Sequence, residues 1–370
     1  MVEADWPYVL DLMPADFNES AVSMLALRRR RQVDSASSLL RLALLYGLCD
    51  LSLRQTAAQA SLIGLGQMSD VAVLKRLSNA SDWLGHLVLQ FLQERGLTRD
   101  VPALNVRIVD ATVICQPGSK GTDWRLHMGL DLARLQISSM EVTGPETGES
   151  LLRHSAAPGS VLLADRGYAH REGVASIMEQ GADVVVRLNW HNFPLETSAG
   201  APLDLVACAE ALGAGEIGDW DVQFRASTGV YRGRLLVLRK TEAAAEKASK
   251  EIRHEATRKG RQPDRRSLRA AHFICLLATL PREQLPAAQG LELYRLRWQI
   301  EIAFKRLKSL IHLDNLRAKS PALARAYLYA KILGALIVEE LTHSSLAFFP
   351  WGYRLFPTSR LSLALAANAA

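Results

Sequence analysis

Cysteine is scarce in this chain of 370 residues: Cys49, Cys115, Cys208 and Cys275 are the only four, and they lie far apart in apolar contexts. They form no CxxC pair and no Cys/His cluster of metal-site spacing, which excludes zinc fingers and a disulfide framework. Long uncharged apolar runs are missing too. The most apolar stretch, "AYLYAKILGALIVEEL", is interrupted by Lys331 and ends in Glu339 and Glu340. It reads as too short and too charged for a bilayer span, so a buried helix and no membrane partner are expected. The opening "MVEADWPYVLDLMPADF" lacks the positive segment and apolar stretch of a secretory signal, which points to the cytoplasm. No internal repeat of fixed period is present.

What the chain does contain is 49% hydrophobic and 22% charged residues, the balance of a globular protein with room for two or three cores. The net charge is only +6. Positive charge is nevertheless concentrated locally, in "RRRR" (Arg28 to Arg31) and "RKGRQPDRRSLR" (Arg258 to Arg269). Such patches favour a polyanionic partner, although each would serve as a solubilising surface.

Apolar spacing over residues 18 to 95 is helical, as in "SASSLLRLALLYGLC". Within it, "LSLRQTAAQASLIGLGQMSDVAVLKRLSNA" holds two short helical patterns around a glycine-containing turn, with Ser69 and Asp70 as caps. This pair fits a helix-turn-helix that brings Lys75 and Arg76 to DNA. From residue 104 the pattern becomes strand-rich: "LNVRIVDATVIC", "DWRLHMGLDLA" and "QISSMEVTG", then the strand "GSVLLADRGYA", the helix "HREGVASIMEQGA" and the strand "DVVVRLNW". That order is α/β. Residues 191 to 290 bring the strand-like pieces "DWDVQF", "YRGRLLVLRK" and "AHFICLLATLP" around a charged, hairpin-like helical segment, and read as an inserted β-rich subdomain. The tail "LALAANAA" is expected to fray.

The stretch "YRLRWQIEIAFKRLK", read as one helix, sets Tyr294, Arg297, Glu301 and Lys308 within roughly a 60° arc at about 100° per residue. Leu296, Ile300, Phe304 and Leu307 occupy the neighbouring face. A carboxylate flanked by two cations and a phenol at the edge of a buried face would stay ionised, and suits a metal ligand that faces phosphates. An ordinary i,i+4 pair of Arg297 and Glu301 is the plainer alternative. Asp110 falls late in the first strong strand, and Asp165 ends "VLLAD". Both are where an α/β sheet exposes polar groups beside a crevice. With Glu301 they supply three carboxylates for two divalent cations, and magnesium suits oxygen-only ligands. A strand-end cap for Asp110 and a turn residue bonding its own backbone for Asp165 remain open at this point.

The pattern Y-x2-R-x3-E-x6-K, met by Tyr294, Arg297, Glu301 and Lys308, resembles the signature of bacterial insertion-sequence DDE transposases of the insertion-sequence-four family. "VRIVDATVI" and "LLADRGYA" resemble the segments around that family's two catalytic aspartates, and N-terminal pieces such as "LSLRQTAAQA" are similar as well. The resemblance spans nearly the whole chain. It implies a ribonuclease-H-like catalytic domain (residues 101–190 and 291–370) interrupted by the β-rich insertion (191–290), behind an N-terminal helical DNA-binding domain (1–100).

The resemblance further implies that Asp110, Asp165 and Glu301 are catalytic acids holding two Mg2+ ions, with Mn2+ as a substitute. Tyr294, Arg297 and Lys308 become contacts to phosphates of double-stranded DNA, at the terminal inverted repeats and the target. Phe273 occupies the place of an aromatic that stacks on a flipped base, against the plainer reading of a core phenylalanine on an alternating strand, and Arg166, with Arg187, would touch phosphate. His127 and Trp124 are set aside as structural, and neither Asp123 nor Asp131 ends a comparably apolar strand. Strand transfer needs two ends, so a dimer in the synaptic complex is expected, acting at the bacterial nucleoid. Two other readings compete: a transposase descendant that binds without cutting, and an aspartyl phosphotransferase. The latter needs a second aspartate two positions after Asp110, where Thr112 stands.

Overall fold

The computed structural model describes residues 6–28, 30–94, 104–116, 118–119 and 121–347. The tail expected to fray, Arg29 of the basic run and the expected domain boundary near residue 100 lie outside the described residues. Six helices come first: α1 (Trp6–Asp11), α2 (Phe17–Ser23), α3 (Ala36–Leu48), α4 (Leu53–Leu62), α5 (Asp70–Asn79) and α6 (Ser81–Glu94). Their starts are written in serines. The Ser35 and Ser69 side chains accept from the amides of Ser38 and Ala72, and Ser52 forms a reciprocal capping box with Gln55.

Next come β1 (Asn105–Ile114), β2 (Trp124–Asp131), β3 (Gln136–Thr143), β4 (Ser160–Ala164), α7 (Arg171–Glu179) and β5 (Asp183–Arg187). After them follow β6 (Leu195–Thr197), β7 (Pro202–Leu203), α8 (Leu205–Glu210), β8 (Ile217–Ala226), β9 (Gly229–Arg239), α9 (Glu242–Arg258), α10 (Arg265–Ala270) and β10 (Phe273–Ala278). All ten strands join one mixed sheet, in the order β3-β2-β1-β4-β5-β10-β9-β8-β6-β7. β1, β4 and β5 are parallel, while β2 and β10 run antiparallel to their neighbours. The strands of the 191–290 segment thus continue the first five through the β5–β10 pair. Its charged stretch, expected to be hairpin-like, is the single helix α9, which Gly260 follows at a positive φ of 62° before the short α10.

The continuous apolar runs of β4 and β5 are buried on both faces, as parallel central strands must be. Pleating sorts them: Leu162, Val184 and Val186 pack with Val174 and Ile177 of α7, whereas Val161, Leu163 and Val185 belong to the core shared with the N-terminal helices. The last helices are α11 (Ala287–Arg295), α12 (Trp298–Ile311) and α13 (Pro321–Ala347). Ile300, Phe304 and Leu307 turn the apolar face of α12 into that shared core.

Two expectations are corrected. The stretch from Tyr294 to Lys308 is not one helix: at Leu296 and Arg297 the chain tightens into i→i−3 hydrogen bonds, Arg297 N to Tyr294 O at 3.1 Å and Gln299 N to Leu296 O at 3.0 Å. Such turns advance about 120° per residue rather than 100°, so the arc drawn for one continuous helix does not describe this break. Pro321–Thr342 is, by length and composition, apolar enough to cross a membrane, but 67% of it is buried inside the protein. It is a core helix because of what covers it.

α13 packs on α3, α5 and α6. Gly47 makes the approach to α3 possible, since a Cβ there would stand 2.8 Å from that of Ala330. Lys331 is 0% exposed and donates to Asp50 Oδ1 (2.9 Å), to the carbonyl of His312 (3.1 Å) and to that of Ile311. The Tyr327 hydroxyl also donates to Asp50 and, at 3.0 Å, to the Asn315 carbonyl. One buried ammonium therefore ties the N-terminal helices and the end of α12 to α13.

Burial pushes the Asp50 carboxyl up, but the hydrogen bonds from Tyr327 and Lys331 outweigh it and hold the group below its ordinary value. Its stabilising contribution is therefore present above the carboxylate range and lost as pH falls through it. Asp50→Asn, which strands the buried ammonium, is expected to cost on the order of 3 kcal/mol at pH 7. The difference from the parent should shrink at acid pH; urea unfolding across pH measures it, and a constant difference would contradict the ion pair.

Candidate active site

The parallel register of β1 and β4 pairs Val109 with Ala164. The next residues, Asp110 and Asp165, therefore stand side by side where β4 ends and β1 runs on. Each aspartate is set by a local backbone bond: Asp110 Oδ1 accepts from Ala111 N at 2.8 Å, and Asp165 Oδ1 from Gly167 N at 2.7 Å in the turn Arg166–Tyr168. The bond of Asp165 is the turn role that the sequence left open, whereas Asp110 lies inside β1 and caps no strand end. Both bonds also fix the carboxylates for chemistry.

Arg297 connects this pair to α12. From the cap position of that helix, its Nη1 lies 3.3 Å from Asp110 Oδ2, and its Nη2 pairs with Glu301. Asp110 and Arg297 side chains are 15% and 19% exposed, Glu301 52%. Glu301 is thus more open than expected, with Arg297 as its cation rather than two cations and a phenol. Tyr294 is half-buried beside Arg187, Arg297 and Asp165, and burial raises its phenol. Lys308 lies two turns beyond Glu301, roughly 10 Å along the helix. The structure brings Asp110, Asp165, Arg297, Glu301 and Tyr294 together, and leaves Lys308 at the margin.

Burial, then the neighbouring Asp165, push the Asp110 carboxyl up to about 6, against the pull of Ala111 N–H and Arg297. Glu149, from the loop before β4, also contributes to that rise, and burial and Asp165 raise Glu149 in turn. Glu149 was not anticipated: it sits in "TGPETGES", a stretch whose glycines and proline signal only a turn. Among the described residues no three carboxylates or imidazoles stand at metal-ligand distance. The donor set nonetheless fits a hard divalent cation, being all oxygen and gathered where repulsion already disfavours ionisation of Asp110.

Arg166 and Arg187 line, with Lys240, a cavity of about 460 Å3 whose aromatic walls are Trp190 and Phe273. Phe273 is 6% exposed and packed in the core with Val237 and Leu277. The expected stacking role does not match that burial: as the first residue of β10, Phe273 turns its ring inward. His127 is 1% exposed, bonded to Thr143 Oγ1 at 3.0 Å, and driven down to about 4 by burial, a structural group as expected. Asp123 and Asp131 are taken up by the backbone amides of Gln116 and Arg134.

The sequence model of the "Transposase DDE domain" family matches residues 102–337. The chain belongs to this family. It is 38% identical over 344 residues to the transposase InsL for insertion sequence element IS186A of Escherichia coli (strain K12), covering 91% of this chain and 93% of that protein. The Escherichia coli transposase for IS421 gives 38% over 345 residues with the same coverage, and the IS231F transposase of Bacillus thuringiensis subsp. israelensis 25% over 267 residues, 64% of this chain and 56% of its own. Among solved structures, a piggyBac transposase synaptic complex with hairpin DNA aligns over 91% of this chain and 73% of that one, with a TM-score of 0.42 at 8% identity. The particular kind of protein follows from the close relatives: this is a transposase of the insertion-sequence type, a metal-dependent nuclease and strand transferase.

Because the folded-state value of Asp110 lies above its ordinary one, stability falls as pH rises from the ordinary carboxylate value to about 6, and the full cost of the ionised group is present above that. Without divalent cations, Asp110→Asn is expected to stabilise the protein at pH 8 by on the order of 2 kcal/mol. The gain should vanish near pH 4. Thermal unfolding at the two pH values checks this, and a variant less stable than the parent at pH 8 would contradict it.

Proposed function

We propose that this chain cleaves the ends of an insertion sequence and joins them to target DNA, with Asp110, Asp165 and Glu301 as its metal-binding acids. The observation that carries the reading is the register that sets Asp110 beside Asp165, together with the Arg297 bridge from Asp110 to Glu301. The five strands β3-β2-β1-β4-β5 with their two aspartates support a ribonuclease-H-like catalytic fold, into which residues 191–290 are inserted. Bound divalent cations, two Mg2+ by the oxygen-only donor set and Mn2+ in their place, supply activation of a water or 3′-hydroxyl and neutralisation of charge in phosphodiester displacement.

The side chains do the rest. Arg297 holds Asp110 and Glu301 in one frame and offers remaining guanidinium donors to a phosphate. Tyr294 and Lys308 supply a hydroxyl and an ammonium to phosphates of the transposon end. Arg166 and Arg187 add positive charge on the side of the site that faces the cavity. In the N-terminal helices, α4 and α5 pack as a pair, with Lys75 exposed on the second. That pair is the candidate reader of the terminal inverted repeats, though residues 63–69 make a longer turn than a compact helix-turn-helix uses. Two ends must be held for strand transfer, so a dimer forms in the synaptic complex, at the bacterial nucleoid.

The test is Mg2+-dependent cleavage of a DNA fragment carrying the element's own terminal repeat, comparing the parent with Glu301→Gln. The variant is expected to lose at least about a hundredfold in rate while still binding the DNA. Equal cleavage by both would remove Glu301 from the site, and binding without cleavage by the parent would favour the descendant that only binds.

A further inference from the structure

Glu149 stands over Gly167. A Cβ built on that glycine would overlap Glu149 Oε2 and come within 3.1 Å of Asp165 Oδ1, so the two carboxylates face the same small space. Asp165 has its backbone donor and Asp110 has Arg297, whereas no described residue donates a hydrogen bond to Glu149. The cation that acts on it, Arg125, does not outweigh burial and the neighbouring Asp165, so this half-buried carboxylate stays costly until a further cation compensates it. A second group points the same way. Tyr168 is 0% exposed, its hydroxyl has no partner, and its electrostatic neighbours are Asp110, Glu149 and Asp165, with Arg125 as the one cation among them. A buried, unpartnered hydroxyl in the field of three carboxylates fits an arrangement in which one carboxylate oxygen turns towards it.

We propose that Glu149 is a fourth carboxylate of the cation-binding centre, drawn in beside Asp165 when a divalent ion binds, with Tyr168 as the donor that holds the acids in place behind it. The side chain is the longest of the acids at the strand ends and has no hydrogen bond to break. Gly167 keeps its path open. The inference rests on the metal-dependent reading above.

The test is calorimetric titration of the full-length protein with Mn2+ in the absence of DNA. Glu149→Gln is expected to weaken Mn2+ binding at least about tenfold, and Glu149→Asp, which keeps the charge, to recover most of it. The metal-free Glu149→Gln protein should unfold no earlier than the parent, because a like-charge contact has been removed. Binding within about twofold of the parent overturns the proposal, as does weaker binding accompanied by earlier unfolding, which marks a structural role. Asp165→Asn separates the two claims. If it abolishes binding while Glu149→Gln does not, only this inference fails; if the parent binds no Mn2+, the metal-dependent reading fails with it.

Discussion

The Lys331 ammonium, buried without any exposure, is the constraint on which the placement of the candidate active site depends. It takes the last carbonyls of α12, at Ile311 and His312, and the Asp50 carboxylate that follows α3. At the other end of the same helix, Arg297 reaches Asp110 on β1. α12 is therefore held by a cation at each end, one anchored in the helical core and one in the sheet. Between them, Ile300, Phe304 and Leu307 fill the shared core and leave Glu301 on the rim. A helix fixed at both ends can present one carboxylate to a point on the sheet edge with little freedom, which is what chemistry at a phosphodiester requires.

The same arrangement explains why the site is costly to the fold. Asp110, Asp165 and Glu149 converge where β4 stops, and burial first, then the neighbouring carboxylates, push the Asp110 carboxyl up to about 6. A single guanidinium offsets part of it. The proposed divalent cation would offset the remainder.

Much of this was legible in the residues, for physical reasons. "VLLAD" and "DVVVR" are uninterrupted apolar runs because both faces of parallel central strands are covered, and their ends carry the polar groups. The Ser69 cap marks the start of α5 on the sequence alone. The contact of Asp110 with Asp165 was not legible, since it depends on a strand register across more than fifty residues. Neither was the break at Leu296, where no glycine or proline warns of it, whereas the burial of Phe273 was the plainer reading of an alternating strand. Lys331 looked like a blemish in an apolar helix because its partner Asp50 lies 281 residues away. Glu149 was hidden in a loop whose composition announces a turn and nothing more.

The most direct measurement is iron-directed cleavage of the polypeptide itself: Fe2+ in place of Mg2+, with ascorbate and peroxide, and the cut sites mapped by mass spectrometry. Asp110, Asp165 and Glu301 acting as one centre predict cuts beside all three residues that excess Mg2+ suppresses. Cuts beside the two strand aspartates without any on α12, or none that Mg2+ displaces, would contradict it.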